Sequence, residues 1–117
     1  RDEGEAFSRF RRSAEEGYLE AQLQLAGMYL QGIGVTKNVE AAFEWYRRAA
    51  ESGNADAPAM LGWMRENGVG GPRDAEDAAR WFRLAAERGN PLARKHLEYL
   101  ESLRPSTSPG GPRSSGG

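Results

Sequence analysis

The 117-residue chain contains no cysteine and a single histidine, His96. The first absence excludes disulfides, a thiolate metal site and a cysteine nucleophile. The second excludes a multi-histidine metal centre and leaves any Ser-His-Asp arrangement dependent on His96 alone. Long apolar runs are also missing. The longest, Leu25 to Leu30, falls far short of the roughly 20 residues that a spanning helix needs, and no stretch resembles a signal peptide. Neither sign of charge predominates. Lys+Arg number 16 against 17 Asp+Glu, for a net charge of −1, so the concentrated positive field that grips nucleic acid or anionic lipid is lacking. Arg9, Arg11, Arg12, Arg47, Arg48, Arg80 and Arg83 could form a basic stripe, but acidic residues interleave with them. The expectation is one small soluble domain with no nucleic-acid partner, no membrane insertion and no cofactor, monomeric or part of a longer chain. A cytoplasmic setting is preferred, although the residues do not specify a compartment. The sequence opens on Arg1 and not on Met, which suggests a chain processed, trimmed or cut from something longer.

What is present is a repeat. Gly17, Gly53 and Gly89 are spaced 36 apart, as are Ala21, Ala57 and Ala93, and Leu25, Leu61 and Leu97. Sliding residues 21–54 onto 57–90 gives 14 identities in 34 positions, against about two or three by chance. They include Gly32/Gly68, Gly34/Gly70, Ala42/Ala78, Trp45/Trp81, Ala49/Ala85 and Ala50/Ala86. Each unit reads as two helices. Helix A runs from Glu20 to Gln31, then from Ala55 to Asn67, with Ala21, Leu25 and Tyr29 at i, i+4 and i+8 facing inward. The Gly-x-Gly turns end it, because glycine tolerates positive φ. Asn38 and Asp74 are N-cap residues for helix B. That helix carries Ala42, Trp45, Tyr46, Ala49 and Ala50, and in the next unit Ala78, Trp81, Phe82, Ala85 and Ala86. Trp45 and Trp81 are expected to be buried between neighbouring helices.

The ends differ from the middle. Residues 1–18 match a helix B alone, a partial repeat, and its missing helix A implies further repeats upstream. Full units follow at 19–54 and 55–90. Asn90-Pro91 combines a cap with a first-turn proline and opens a capping helix over 91–103. Residues 104–117 contain only Arg, Pro, Ser, Thr and Gly, so a disordered tail is expected there.

These residues resemble the Sel-1-like repeat family, relatives of tetratricopeptide repeats. The first unit carries the pattern through Ala21, Leu25, Tyr29, Gly32, Gly34, Asn38, Ala42, Trp45, Tyr46, Ala49, Ala50 and Gly53, with Ala26 in place of a glycine. The second carries it through Ala57, Leu61, Gly62, Gly68, Gly70, Asp74, Ala78, Trp81, Phe82, Ala85, Ala86 and Gly89, with Arg65 in place of the tyrosine. The resemblance implies an all-α fold, a right-handed α-solenoid of antiparallel helix pairs, with a concave groove lined by one side of the A helices.

Features that look like chemistry have simpler readings. The Gly-x-Gly segments follow helices, unlike dinucleotide-binding loops, which follow strands and open helices. Asp74, Glu76 and Asp77 suit a helix start. His96 reads as a lone surface histidine. The side of helix A opposite the inward stripe is more informative. It consists of Leu23, Gly27, Leu30 and Gln31, then Ala59, Trp63, Glu66 and Asn67, then Lys95 and Tyr99. The resemblance assigns this side to partner binding, and Trp63 is the large residue that the repeat pattern does not require, either an anchor for a partner or a filler of the gap between adjacent A helices. The expected function is a non-catalytic scaffold or adaptor holding a peptide or protein on its concave face. The alternative is a Sel-1-like-repeat hydrolase, or a regulatory end cap of a larger enzyme.

Overall fold

The computed structural model describes residues 2–103, and within them the chain forms six helices and no strand. The helices are α1 (Glu3–Glu15), α2 (Leu19–Gln31), α3 (Val39–Glu51), α4 (Asp56–Asn67), α5 (Ala75–Glu87) and α6 (Pro91–Ser102). Each packs chiefly on the helices before and after it in the chain. α2, α4 and α6 are the A helices, and α1, α3 and α5 the B helices. The chain is therefore an α-solenoid of helix pairs. The segment expected to form a disordered tail lies outside the described residues.

The same local chemistry recurs at each step of the repeat. Asp2, Asn38 and Asp74 cap α1, α3 and α5, their side-chain oxygens accepting from the backbone N–H groups of Glu5, Ala41 and Asp77 at 3.0–3.1 Å. These bonds satisfy donors that the first helical turn leaves unpaired. Gly32 (φ 74°) and Gly68 (φ 69°) end α2 and α4 in the left-handed region, where a Cβ is disfavoured. The capping of the A helices is less regular. Asn54 accepts from the N–H groups of Asp56 and Ala57 to open α4, and Asn90 accepts from Ala93 to open α6. Tyr18 holds that position before α2 and supplies no side-chain cap.

The core is built from small residues at the crossings and larger ones between them. Ala42, Ala49, Ala57, Ala78 and Ala85 are sealed, as are Leu25 and Leu61. Burying a leucine side chain stabilises by about 1.5–3 kcal/mol relative to exposing it. Tyr46 and Phe82, at equivalent positions, are buried against the preceding A helix, and burial pushes the Tyr46 phenol pKa upward. A Cβ added at Gly62 would stand 3.0 Å from three atoms of the Phe82 ring. The turns also hold neighbouring units together. A Cβ at Gly34 would run into the Glu3 backbone, and one at Gly70 would come within 2.9 Å of the Val39 carbonyl oxygen. The second glycine of each turn thus lets the turn seat on the start of the preceding B helix.

Side chains tie α5 and α6 back to the middle of the molecule. Arg88 Nη1 donates to the carbonyls of Ala50 (2.7 Å) and Asn54 (2.8 Å). Asn90 Nδ2 donates to the Ala55 carbonyl and to Asp56 Oδ1. The corresponding tie near the N-terminus is one 3.3 Å bond from Gln22 Nε2 to the Ala14 carbonyl.

Two expectations change. Trp45 and Trp81 are half-buried, not enclosed. Each indole packs against the central core, Trp45 against the N-terminal cluster as well, and Trp45 carries the Arg48 guanidinium 4.4 Å from its ring centroid. Truncating either therefore removes less than a sealed indole would. His96 is not a free surface side chain, as its contacts below establish.

Candidate interaction surface

The stripe read from the sequence divides into three kinds of position. Leu23 and Leu30 are half-buried and pack against the central cluster, and Ala59 packs against the C-terminal one. Their side chains belong in part to the core. Gly27 is half-buried. Gln31, Asn67 and Lys95 are exposed polar residues. Asn67 Nδ2 donates to the Trp63 carbonyl at 2.8 Å and so closes the last turn of α4.

Trp63 and Tyr99 form the third kind. They are 44% and 56% exposed, and they hold one repeat position on successive A helices, where α2 has Gly27. Aromatic rings with a polar handle are of the kind favoured as interface anchors.

Beside Tyr99 lies a contact that spacing did not reveal. His96 Nε2 is 2.8 Å from Glu66 Oε1, a hydrogen bond joining α6 to α4. The imidazole is half-buried, with its centroid 4.6 Å from that of Phe82 and 5.9 Å from that of Tyr99. Glu66 is therefore already engaged, and the histidine helps to hold α6 beside α4. The two residues are 30 apart, off the repeat spacing, so the repeat gave no signal for the pair.

The remaining candidate features are structural in this fold. Asp74 caps α5, and Asp77 receives Arg65 (3.3 Å) and Arg80 (3.2 Å). The Gly-x-Gly segments are turns between helices. Among the described residues, no group of three or more His, Asp or Glu is placed to hold a metal ion, and no helix is long and apolar enough to cross a membrane.

Comparison with known proteins agrees with this architecture. The Sel1 repeat family model matches residues 19–54 and 55–90. A Sel1 repeat protein from Oxalobacter formigenes superposes with a TM-score of 0.79 at 32% identity, over 86% of this chain and 41% of that one. The c5321 protective antigen of uropathogenic Escherichia coli strains, which displays an SLR fold, superposes at 0.82 with 33% identity, over 86% of this chain and 22% of that one. Cysteine rich protein B of Helicobacter pylori superposes at 0.73 with 23% identity, over 78% of this chain and 68% of that one, a likeness of fold. The chain thus spans about two fifths and one fifth of the first two structures. A search of the curated proteins found no match.

Proposed function

The chain belongs to the Sel1 repeat family, and from that premise we propose that it is a non-catalytic interaction scaffold whose concave A-helix side holds a partner peptide or protein. The observation that carries this reading is the pair Trp63 and Tyr99, two exposed rings at one repeat position on successive A helices. Gln31, Asn67 and Lys95 supply exposed polar groups around them. This division into aromatic anchors and polar rim is typical of protein interfaces. Among the described residues, the His96 imidazole meets the Glu66 carboxylate and the rings of Phe82 and Tyr99, contacts that join α6 to its neighbours.

The test is capture of partners by the immobilised protein, with wild type, Trp63→Ala and Tyr99→Ala compared side by side. Partners held by wild type should be released by both variants, each substitution weakening binding by about tenfold or more, while the melting temperature stays near that of wild type. Unchanged capture together with a large fall in melting temperature would return both rings to the core and overturn the reading.

A further inference from the structure

Gly27 has no packing duty that only glycine can fill. It lies inside α2, where alanine would favour the helix more. A Cβ there would meet one atom beyond its own helix within 4 Å, the Tyr46 hydroxyl oxygen at 3.8 Å, an ordinary contact. Gly62, by contrast, is held small by the Phe82 ring. Gly27 thus leaves a notch in the concave side of α2, with the Tyr46 hydroxyl at its floor.

Tyr46 is only 7% exposed. It shares the central cluster with Ala26 of α2 and with Leu61 and Met64 of α4. Its hydroxyl hydrogen-bonds to none of the described residues, and burial is the one influence on its phenol. A buried donor without a partner is costly. The next unit has no such group. There Phe82 takes the place of Tyr46, Trp63 takes that of Gly27, and His96 and Glu66 hydrogen-bond to each other. In register with that pair the first unit has Met60 and Leu30, half-buried apolar side chains packed on the central cluster. The missing side chain and the unpaired hydroxyl therefore occur together in one unit, and the other unit has neither.

We infer that this notch is a peptide-backbone subsite, where the Tyr46 hydroxyl donates to a main-chain carbonyl of an extended partner segment that has Gly or Ala at that point. The inference rests on the concave-face function proposed above and says what part of the partner that face takes. The occupant follows from its chemistry. A phenol is a better hydrogen-bond donor than acceptor, so the group it lacks is an acceptor. Leu23, Gln24, Leu30 and Gln31, the neighbours of Gly27 one turn to either side on α2, carry no charge. A neutral carbonyl therefore suits the floor better than a carboxylate, whose charge would go unmet. A helical partner has its carbonyls paired internally, whereas extended backbone presents them free. Glycine at position 27 lets that backbone come close, and a small partner residue keeps the approach open.

The probe is a random heptapeptide library displayed on phage and selected on the immobilised protein. The tightest heptapeptide is then synthesised and titrated calorimetrically into wild type, Tyr46→Phe, Gly27→Ala and Trp63→Ala. Tyr46→Phe should weaken it about threefold to tenfold without lowering the melting temperature, because the hydroxyl has no partner in the free protein. Gly27→Ala should weaken it by about tenfold while raising the melting temperature. Replacing one peptide bond of the heptapeptide by an ester, whose carbonyl is a poorer acceptor, should cost wild type about threefold and Tyr46→Phe nothing. Equal affinity for wild type, Tyr46→Phe and Gly27→Ala, with loss only in Trp63→Ala, would overturn the inference and leave the concave-face function standing. A loss in Tyr46→Phe that no ester position shares would give the hydroxyl to water and overturn it too. So would a lowered melting temperature in Tyr46→Phe, which returns the hydroxyl to the core. Failure to enrich any peptide, or affinity untouched by all three substitutions, would remove the concave-face function along with it.

Discussion

The two complete units solve one packing problem with different side chains. In the first, Tyr29 of α2 sets its ring edge-on to Phe7 of α1, with centroids 5.3 Å apart and planes at 88°. In the second, Arg65 of α4 replaces the tyrosine and lays its guanidinium over Phe43 of α3. A ring needs only apolar surroundings, but a guanidinium brings a charge that must be met. Asp77 meets it from α5, at the position where the first unit has Ala41. The departure at residue 65 is therefore one half of an exchange, and the other half lies 12 residues further on. The lesson is that the backbone repeat tolerates different chemistry at a position when the next helix changes with it.

The largest test asks whether the units are equal where their residues are the same. Leu25 and Leu61 are both fully buried at one repeat position. Leu25→Ala and Leu61→Ala should each destabilise by about 2–5 kcal/mol, measured by denaturant unfolding. A wide gap between them would show that the two clusters are not packed alike. The next test exploits Ala26 and Gly62. Gly62→Ala places a methyl group against the Phe82 ring, and overpacking of this kind costs about 1–3 kcal/mol, partly offset by the better helix propensity of alanine. Thermal unfolding should show a lowered melting temperature. A raised one would mean that the ring yields easily and that glycine is not required there.

The smallest effect concerns the exchange itself. Arg65 and Asp77 are 21% and 27% exposed at the side chain, so their ion pair is only partly screened. Asp77→Ala strands the guanidinium and should destabilise by about 1–2 kcal/mol. Adding Arg65→Tyr converts the second unit to the chemistry of the first and should recover most of that loss. A double-mutant cycle measures the coupling, and strict additivity would sever the link drawn between the two positions.

The fold was legible because glycine, alanine and tryptophan return every 36 residues, and because caps and turn glycines punctuate that spacing. Such signals are local, and local geometry follows from them. Trp63 and Tyr99 were legible as a stripe for the same reason, since one helix face recurs with the repeat. The His96–Glu66 contact was not, because it joins two helices across unequal repeat positions. Its geometry depends on how α6 lies against α4. The half-exposure of Trp45 and Trp81 was also hidden, since an indole conserved between units can serve as a lid on the core as well as its filling.

The side-chain ties near Arg88 and Asn90 make the molecule mechanically unequal along its length. α5 and the start of α6 are fastened to the end of α3 and the start of α4 by four side-chain bonds, whereas the junction of α1 with α2 has one long bond and an uncapped helix start. In a stacked array, units open in sequence and not all at once. Opening should therefore begin at α1 and travel inward, so that amide protons near the N-terminus exchange with solvent well before those of α4 and α5.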